Sequence, residues 1–245
     1  MHGAKKREQT VRIRIVAEAS TRVQKLFYGW GLSFLIDGDL LFDTFSNETV
    51  LRNNMEKMGI DAKKMKYVVI SHEHWDHTGG LRYMLERNKN VQVFICPGFS
   101  DEFKRQIESY GVKIMEIGQI TEIKENIYTT GQITGEYDGK PIYEQSLIIG
   151  NGKISVVTGC SHPGVVEIIK KAKDGFAKPV HMVLGGFHLL HKTPFEIARI
   201  IREFRILGVE KTAPCHCTGR QAVELFRREY RDNFIQVKTG MEISI

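Results

Sequence analysis

A chain of 245 residues, 42% hydrophobic and 26% charged, has the balance of a protein with a packed core, which excludes disordered and fibrous classes. No apolar run nears the roughly 18 residues needed to cross a bilayer, and four scattered cysteines are too few for a disulfide framework. The formal charge of +6 suits a small anionic molecule or a nucleic acid and by itself selects neither.

The basic opening "MHGAKKREQTVR" lacks the apolar middle of a secretory signal. It reads as a short flexible arm over 1–10, and the expected compartment is the cytoplasm. No repeat or linker follows, so a single domain over 1–245 is expected. "VRIRIVAEA" and "LSFLIDGDLLFDTF" read as strands, the second folded on itself at Asp37-Gly38. Between them, "KLFYGWG" (Lys25 to Gly31) is an aromatic, glycine-punctuated loop. A helix is expected from about Asn47 to Met58, capped by Ser46 or Asn47 and ended at Gly59.

"KYVVI" hardly alternates, the mark of a strand covered on both faces. A helix in "HTGGLRYMLERN", a strand "VQVFICP", a helix over about 99–109 and a strand "VKIMEI" come next. Strands are expected at about 120–128, 145–149 and 154–158, the last pair turning at "GNGK". A helix at about 164–173, a strand "VHMVL" and a helix from Pro194 complete the alternation. Thr193, Pro194, Glu196 and Gly208 supply cap, first turn, capping box and stop for that helix. Thr218 and Gln221 suggest another capping box just after "CHC". The order favours an α/β layered domain, with two similar halves face to face as one way to build it.

Directly after the "YVVI" run stands "SHEHWDHTGG", Ser71 to Gly80, with three histidines, a glutamate and an aspartate in six positions. At a strand end, residues two apart point the same way, so His72 and His74 can grip one ion. Asp76 and His77 start the next turn and can face a second. Neutral imidazole and carboxylate are the ligands of catalytic zinc or iron sites that keep a position for water. A surface histidine cluster is the competing account, and the buried strand just before the motif argues against it.

His-x-His-x-Asp-His after a buried strand resembles the signature of the metallo-β-lactamase superfamily. That resemblance implies a four-layer αββα sandwich with a dinuclear metal site on one edge. "LLFDT" resembles the family's Asp-Thr-Gly segment, which implies that Asp43 supports the ligands from behind. Phe45 stands where glycine is usual, and a different backbone course is expected there. "ISVVTGCSHPG" resembles the strand ending in Thr-Gly-Asp, whose aspartate bridges both metals; Cys160 takes that place, with His162 two residues on. A thiolate is softer than a carboxylate, which implies one metal held tightly and a second weakly. "APCHCTGR" offers His216 at the position of the family's last metal-binding histidine, with Cys215 and Cys217 expected to point away if the segment is extended. The family's Gly-His pair is missing from "YEQSLII"; either Glu144 or His162 replaces it, His162 being preferred.

The combination "TGCSHPG", "LGGFHL" and "APCHCTG" is similar to the branch named for dihydropterin-methyl-(ribofuranosyl)aminobenzene 5'-phosphate synthase. His188 is then a candidate acid, base or substrate contact, whereas His181 reads as a core histidine. The implied metal set is His72, His74, Asp76, His77, Cys160, His162 and His216. The implied cofactor is zinc, one or two ions, with manganese or iron as alternatives. Metal-activated water would be the reagent, with Asp76 orienting it or taking its proton. Phe27, Tyr28 and Trp30 could stack on a flat ring such as a pterin. Three classes remain open: a hydrolase or synthase acting on a small anionic, phosphorylated molecule, a nuclease, and a non-enzymatic or di-iron redox module. Lysines and arginines are spread rather than striped, which disfavours nucleic acid.

Overall fold

A computed structural model of the protein describes residues 10–19, 26–150 and 152–245. Nearly all of the expected basic arm, Lys25 of the aromatic loop and Asn151 of the "GNGK" turn lie outside the described residues. The chain opens with strands β1 (Arg12–Glu18), β2 (Leu32–Ile36) and β3 (Leu40–Phe42), then helix α1 (Glu48–Lys57) and strand β4 (Tyr67–Val69). Helices α2 (Trp75–Thr78) and α3 (Leu81–Arg87), strand β5 (Gln92–Ile95), helix α4 (Asp101–Glu108) and strand β6 (Lys113–Glu116) follow. Strands β7 (Thr121–Lys124), β8 (Ile127–Thr129), β9 (Ile133–Tyr137), β10 (Lys140–Glu144), β11 (Leu147–Ile149) and β12 (Ile154–Thr158) come next. The last third holds helix α5 (Val165–Phe176), strand β13 (Val180–Gly186), helix α6 (Pro194–Ile206), strand β14 (Lys211–Cys215), helix α7 (Arg220–Tyr230) and strand β15 (Glu242–Ser244).

Two sheets result, in the orders β15-β1-β2-β3-β4-β5-β6 and β14-β13-β12-β11-β8-β7, with β9 and β10 forming a separate hairpin. Ile13, Ile15, Phe34 and Val69 from one sheet meet Leu147, Val157, Leu184 and Ala213 from the other in a core between them. Leu51, Met55, Met84 and Ile107 cover the outer face of the first sheet from α1, α3 and α4. Ile168, Ile169, Ile197, Phe204 and Phe226 do the same for the second from α5, α6 and α7. Each fully buried aliphatic or aromatic side chain contributes about 1.5–3 kcal/mol of transfer free energy. The architecture is therefore the four-layer αββα sandwich that the resemblance implied.

Several local expectations hold. Asn47 accepts from the backbone N–H of Thr49 and Val50 at the start of α1, and Thr193 with Glu196 forms the reciprocal cap of α6. Others need correction. "HTGGLRYMLERN" is not one helix: α2 and α3 are separated at Gly79-Gly80, because the Ser46–Thr44 backbone lies against both glycines. A Cβ on Gly79 would stand 2.1 Å from the Ser46 carbonyl oxygen. The run at 120–128 is a hairpin, turning where Asn126 takes φ 61°. Thr218 does not cap α7; its hydroxyl donates to the Cys215 carbonyl and accepts from Phe187 N–H. Gly219 precedes that helix instead.

Candidate metal centre

The strands β3 and β4 run parallel to each other, as do β12, β13 and β14, so five carboxyl ends open toward one edge of the sandwich. Loops at such ends are where α/β sheets assemble sites. Asp43 follows β3, His72 and His74 follow β4, and Asp76 and His77 fill the first turn of α2. Cys160 and His162 follow β12, His188 follows β13, and His216 follows β14.

Seven of these side chains form two donor sets, and within each the ligand atoms lie within 4.8 Å of one another. The first set is His72, His74 and His162. His72 Nε2 faces His74 Nδ1 at 3.2 Å, and the His162 ring centre lies 4.7 Å and 4.8 Å from those of His72 and His74. The second set is Asp76, His77, Cys160 and His216. His77 Nε2 faces His216 Nε2 at 3.2 Å, Cys160 Sγ stands 3.3 Å from both, and Asp76 Oδ2 is 3.2 Å from His216 Nε2.

The outward nitrogens are held from behind. Asp43 Oδ2 takes His77 Nδ1 at 2.6 Å, Glu144 Oε2 takes His162 Nδ1 at 2.9 Å, and Ser71 Oγ pairs with His72 Nδ1 at 2.8 Å. An imidazole that donates from Nδ1 presents a bare Nε2 lone pair, so these rings aim electron pairs inward at shared points. Facing lone pairs repel unless a proton or cation lies between them. The donor set therefore fits divalent cations, which the metallo-β-lactamase plan implies.

Burial governs the charges. It pushes the His72 imidazole well below its ordinary range, and with the neighbouring His162 it lowers His74 to about 4, so both are neutral bases at pH 7. Burial opposes protonation of His77 too, but the Asp43 carboxylate, its hydrogen bond and Asp76 outweigh it and raise His77 to about 9. Burial would raise Asp76, yet the His216 hydrogen bond and the charges of His77 and His216 hold it well below the usual carboxylate range. Glu144 is likewise held low against burial by His162 and by backbone N–H groups. Burial drives the Cys160 thiol up.

All seven residues expected as ligands are thus brought together, His72 with His74 in one set and Asp76 with His77 in the other. His188 lines the same cavity, of about 490 Å³, with Trp30, Trp75, Tyr137, Leu190 and Lys192 at its walls. Tyr28 and Phe27 are exposed but do not line it. Phe45 takes φ 63°, the left-handed conformation that glycine favours, and its ring is fully buried. His181 is only half-buried and pairs with Glu210 at 3.0 Å.

Two residues stand differently from the sequence reading: Glu144, offered there as an alternative ligand, and Cys217, expected to point away. Glu144 accepts from the backbone N–H of Cys160, Ser161 and His162 at 3.0, 2.7 and 2.8 Å, so it positions a loop that serves both donor sets. Cys217 does not point away. The chain leaves its extended course at His216, φ 51°, and a 3-10 turn over His216–Thr218 carries Cys217 into the cavity wall, while Cys215 stays in the inter-sheet core. Glu73, in the midst of the histidines, turns instead to the Ser100 N–H and hydroxyl at the start of α4.

Comparison with known proteins agrees with this geometry. The family model described as the metallo-beta-lactamase superfamily matches residues 31–168. A protein of Methanocaldococcus jannaschii named 7,8-dihydropterin-6-methyl-4-(beta-D-ribofuranosyl)-aminobenzene-5'-phosphate synthase is 30% identical, over 86% of this chain and 88% of its own. An uncharacterized protein of the same organism is also 30% identical, over 95% and 100%. A crystal structure described as a metal-dependent hydrolase of the beta-lactamase superfamily superimposes with TM-score 0.81 and 30% identity, covering 96% of this chain and 99% of that one. The chain belongs to the metallo-β-lactamase superfamily.

Proposed function

We propose that this protein is a metal-dependent hydrolase of the cytoplasm, acting on a small anionic, phosphorylated molecule that carries a flat, pterin-like ring. The observation that carries the reading is the convergence of two donor sets on one wall of an aromatic-rimmed cavity of about 490 Å³. Reduced Cys160 and Cys217 fit a reducing compartment.

His72, His74 and His162 would hold one ion, and Asp76, His77, Cys160 and His216 a second; imidazole with a thiolate favours zinc over manganese or iron. When bound, such cations supply Lewis acidity that brings the pKa of water toward 7 and stabilises charge growing on oxygen. Asp76 stays ionised across the neutral range and is too weak a base to store a proton, so its part is to orient the attacking water. His188 is pushed up by its hydrogen bond to Cys217, with burial opposing, and can donate a proton to the leaving oxygen. Trp30 and Tyr137 offer ring faces for the substrate, and Lys192 a positive charge for its phosphate.

Transfer rather than hydrolysis is a second reading, favoured by the relative named as a pterin-related synthase. Nuclease action is the weaker alternative, because lysines and arginines are spread along the sequence rather than clustered. A phosphodiesterase and phosphomonoesterase screen of untagged protein in labelled water tests the proposal. Hydrolysis predicts chelator-sensitive turnover, solvent oxygen in the product, and loss of activity in His74→Ala. Turnover that survives His74→Ala contradicts it, and product without solvent oxygen selects transfer.

A further inference from the structure

Cys217 and His188 belong to neither donor set, yet both stand against the second. With Cys160 they present three ligand atoms that lie within 4.8 Å of one another. Both sulfurs are buried but border the cavity, and His188 Nδ1 is buried without a hydrogen-bond partner. The Cys217 thiol reaches back to the Cys160 carbonyl oxygen at 3.5 Å. Gly186 makes that approach possible: a Cβ there would come within 2.7 Å of Cys217 Sγ and 3.3 Å of the Cys160 Cα. His188 and His216 hold left-handed backbones, φ 53° and 51°, a costly conformation for side chains of that size and one that clusters at ligand sites.

We propose that Cys217, His188 and Cys160 form a third metal position, a Cys2His set for a thiophilic divalent cation such as Zn2+, in which the Cys160 thiolate is shared with the Asp76, His77 and His216 set. Two thiolates and one imidazole are soft donors that select zinc over magnesium or manganese, and three protein ligands leave the fourth tetrahedral position to the cavity. The position draws Cys160 from the second donor set and His188 from the proton donor of the proposed reaction, and only Cys217 is its own, so metal stoichiometry rather than activity separates the two readings.

The test is cobalt titration of untagged, metal-free protein, read by elemental analysis and by thiolate-to-cobalt absorption in the near ultraviolet. Wild type should bind one equivalent more than Cys217→Ser, with roughly three times its near-ultraviolet intensity, since three cobalt–sulfur bonds, two of them to the shared Cys160, contribute instead of one. His188→Ala should lose the same equivalent, whereas His74→Ala should lose a different one and keep the absorption. Equal stoichiometry and intensity in wild type and Cys217→Ser would overturn the third position, even if chelator-sensitive hydrolysis is found. Thiol titration of wild type decides the matter should that variant not fold: added zinc should protect two thiols, Cys160 and Cys217, because Cys96 and Cys215 are fully buried in any case. Protection of one thiol, or a Cys160–Cys217 disulfide in fresh metal-free protein, would also overturn it.

Discussion

Asp43 Oδ2 stands 2.6 Å from His77 Nδ1, and solvent reaches neither side chain. The same carboxylate accepts from Ser71 N–H and hydroxyl, each at 2.7 Å, so one buried charge fixes both the His77 ring and the turn that launches His72. Partners of this kind set the tautomer and basicity of a ligand, and their removal typically lowers metal affinity about 10- to 100-fold. Asp43→Asn should show that loss in a competitive zinc titration. Asp43→Ala, which strands His77 and Ser71, should lower unfolding free energy by about 3–5 kcal/mol in urea.

Protons compete with metal at the second donor set. His77, raised to about 9, is protonated at pH 7 in the metal-free protein, and the buried Cys160 thiol is protonated as well. A cation must displace both, so calorimetry at pH 7 in buffers of different ionisation enthalpy should show about two protons released, with affinity climbing as pH rises toward 9. Release of no proton would mean that these residues are not ligands.

The same shifts shape the stability of the metal-free chain. His77 binds its proton more tightly folded than unfolded, so its stabilising contribution is complete below about 6.5 and is lost as pH rises through 9. His74, lowered to about 4, works in reverse: the unfolded chain gains the proton first, and stability falls as pH drops from about 6.5 to 4. Urea midpoints of metal-free protein should therefore peak near pH 6.5, and zinc should flatten the alkaline side by replacing the proton on His77.

Glu144 ties together the loop that carries Cys160 and His162. Glu144→Gln keeps its shape but offers one acceptor oxygen for four donors, leaving buried N–H groups unpaired. A loss of about 2–4 kcal/mol is expected by denaturant titration, and both donor sets should weaken together. Weakening of the His72, His74 and His162 set alone would show that Glu144 serves only His162.

Trp30 lies with its ring centre 4.9 Å from that of His216, and Tyr137 lies 4.7 Å from His74, and both line the cavity. Each aromatic face contributes about 0.5–1.5 kcal/mol to stacking on a flat ring, so Trp30→Ala or Tyr137→Ala should weaken binding of a reduced pterin about 2- to 10-fold. Fluorescence titration would read it, with metal content unchanged. Identical affinity in both variants would place the ring elsewhere.

What the sequence made legible was periodic or local. The unalternating "YVVI" run, the His-x-His-x-Asp-His spacing and the Thr193 cap each state their structure within a few residues, and the layers and the convergence of the seven candidate side chains follow. The hairpin β9–β10 was missed although Asp138-Gly139 turns it, with φ 49° and 72°, much as Asp37-Gly38 turns β2 into β3. Its strands are largely exposed, so hydrophobic alternation could not announce them, and Tyr137 at its tip went unnoticed beside the site. Cys217 was misplaced because a single left-handed residue, His216, reverses which way its neighbour points. Such a conformation is enforced by tertiary contacts and leaves no pattern in a non-glycine sequence. Glu144 was ambiguous for a related reason: whether a carboxylate meets an ion or an imidazole depends on a separation set by two distant strands.

Anomalous diffraction at the zinc edge, from crystals of untagged protein grown with zinc, addresses the central claim most directly. Peaks are predicted among His72, His74 and His162 and among Asp76, His77, Cys160 and His216. Full-occupancy zinc elsewhere, with both of these positions empty, would contradict it.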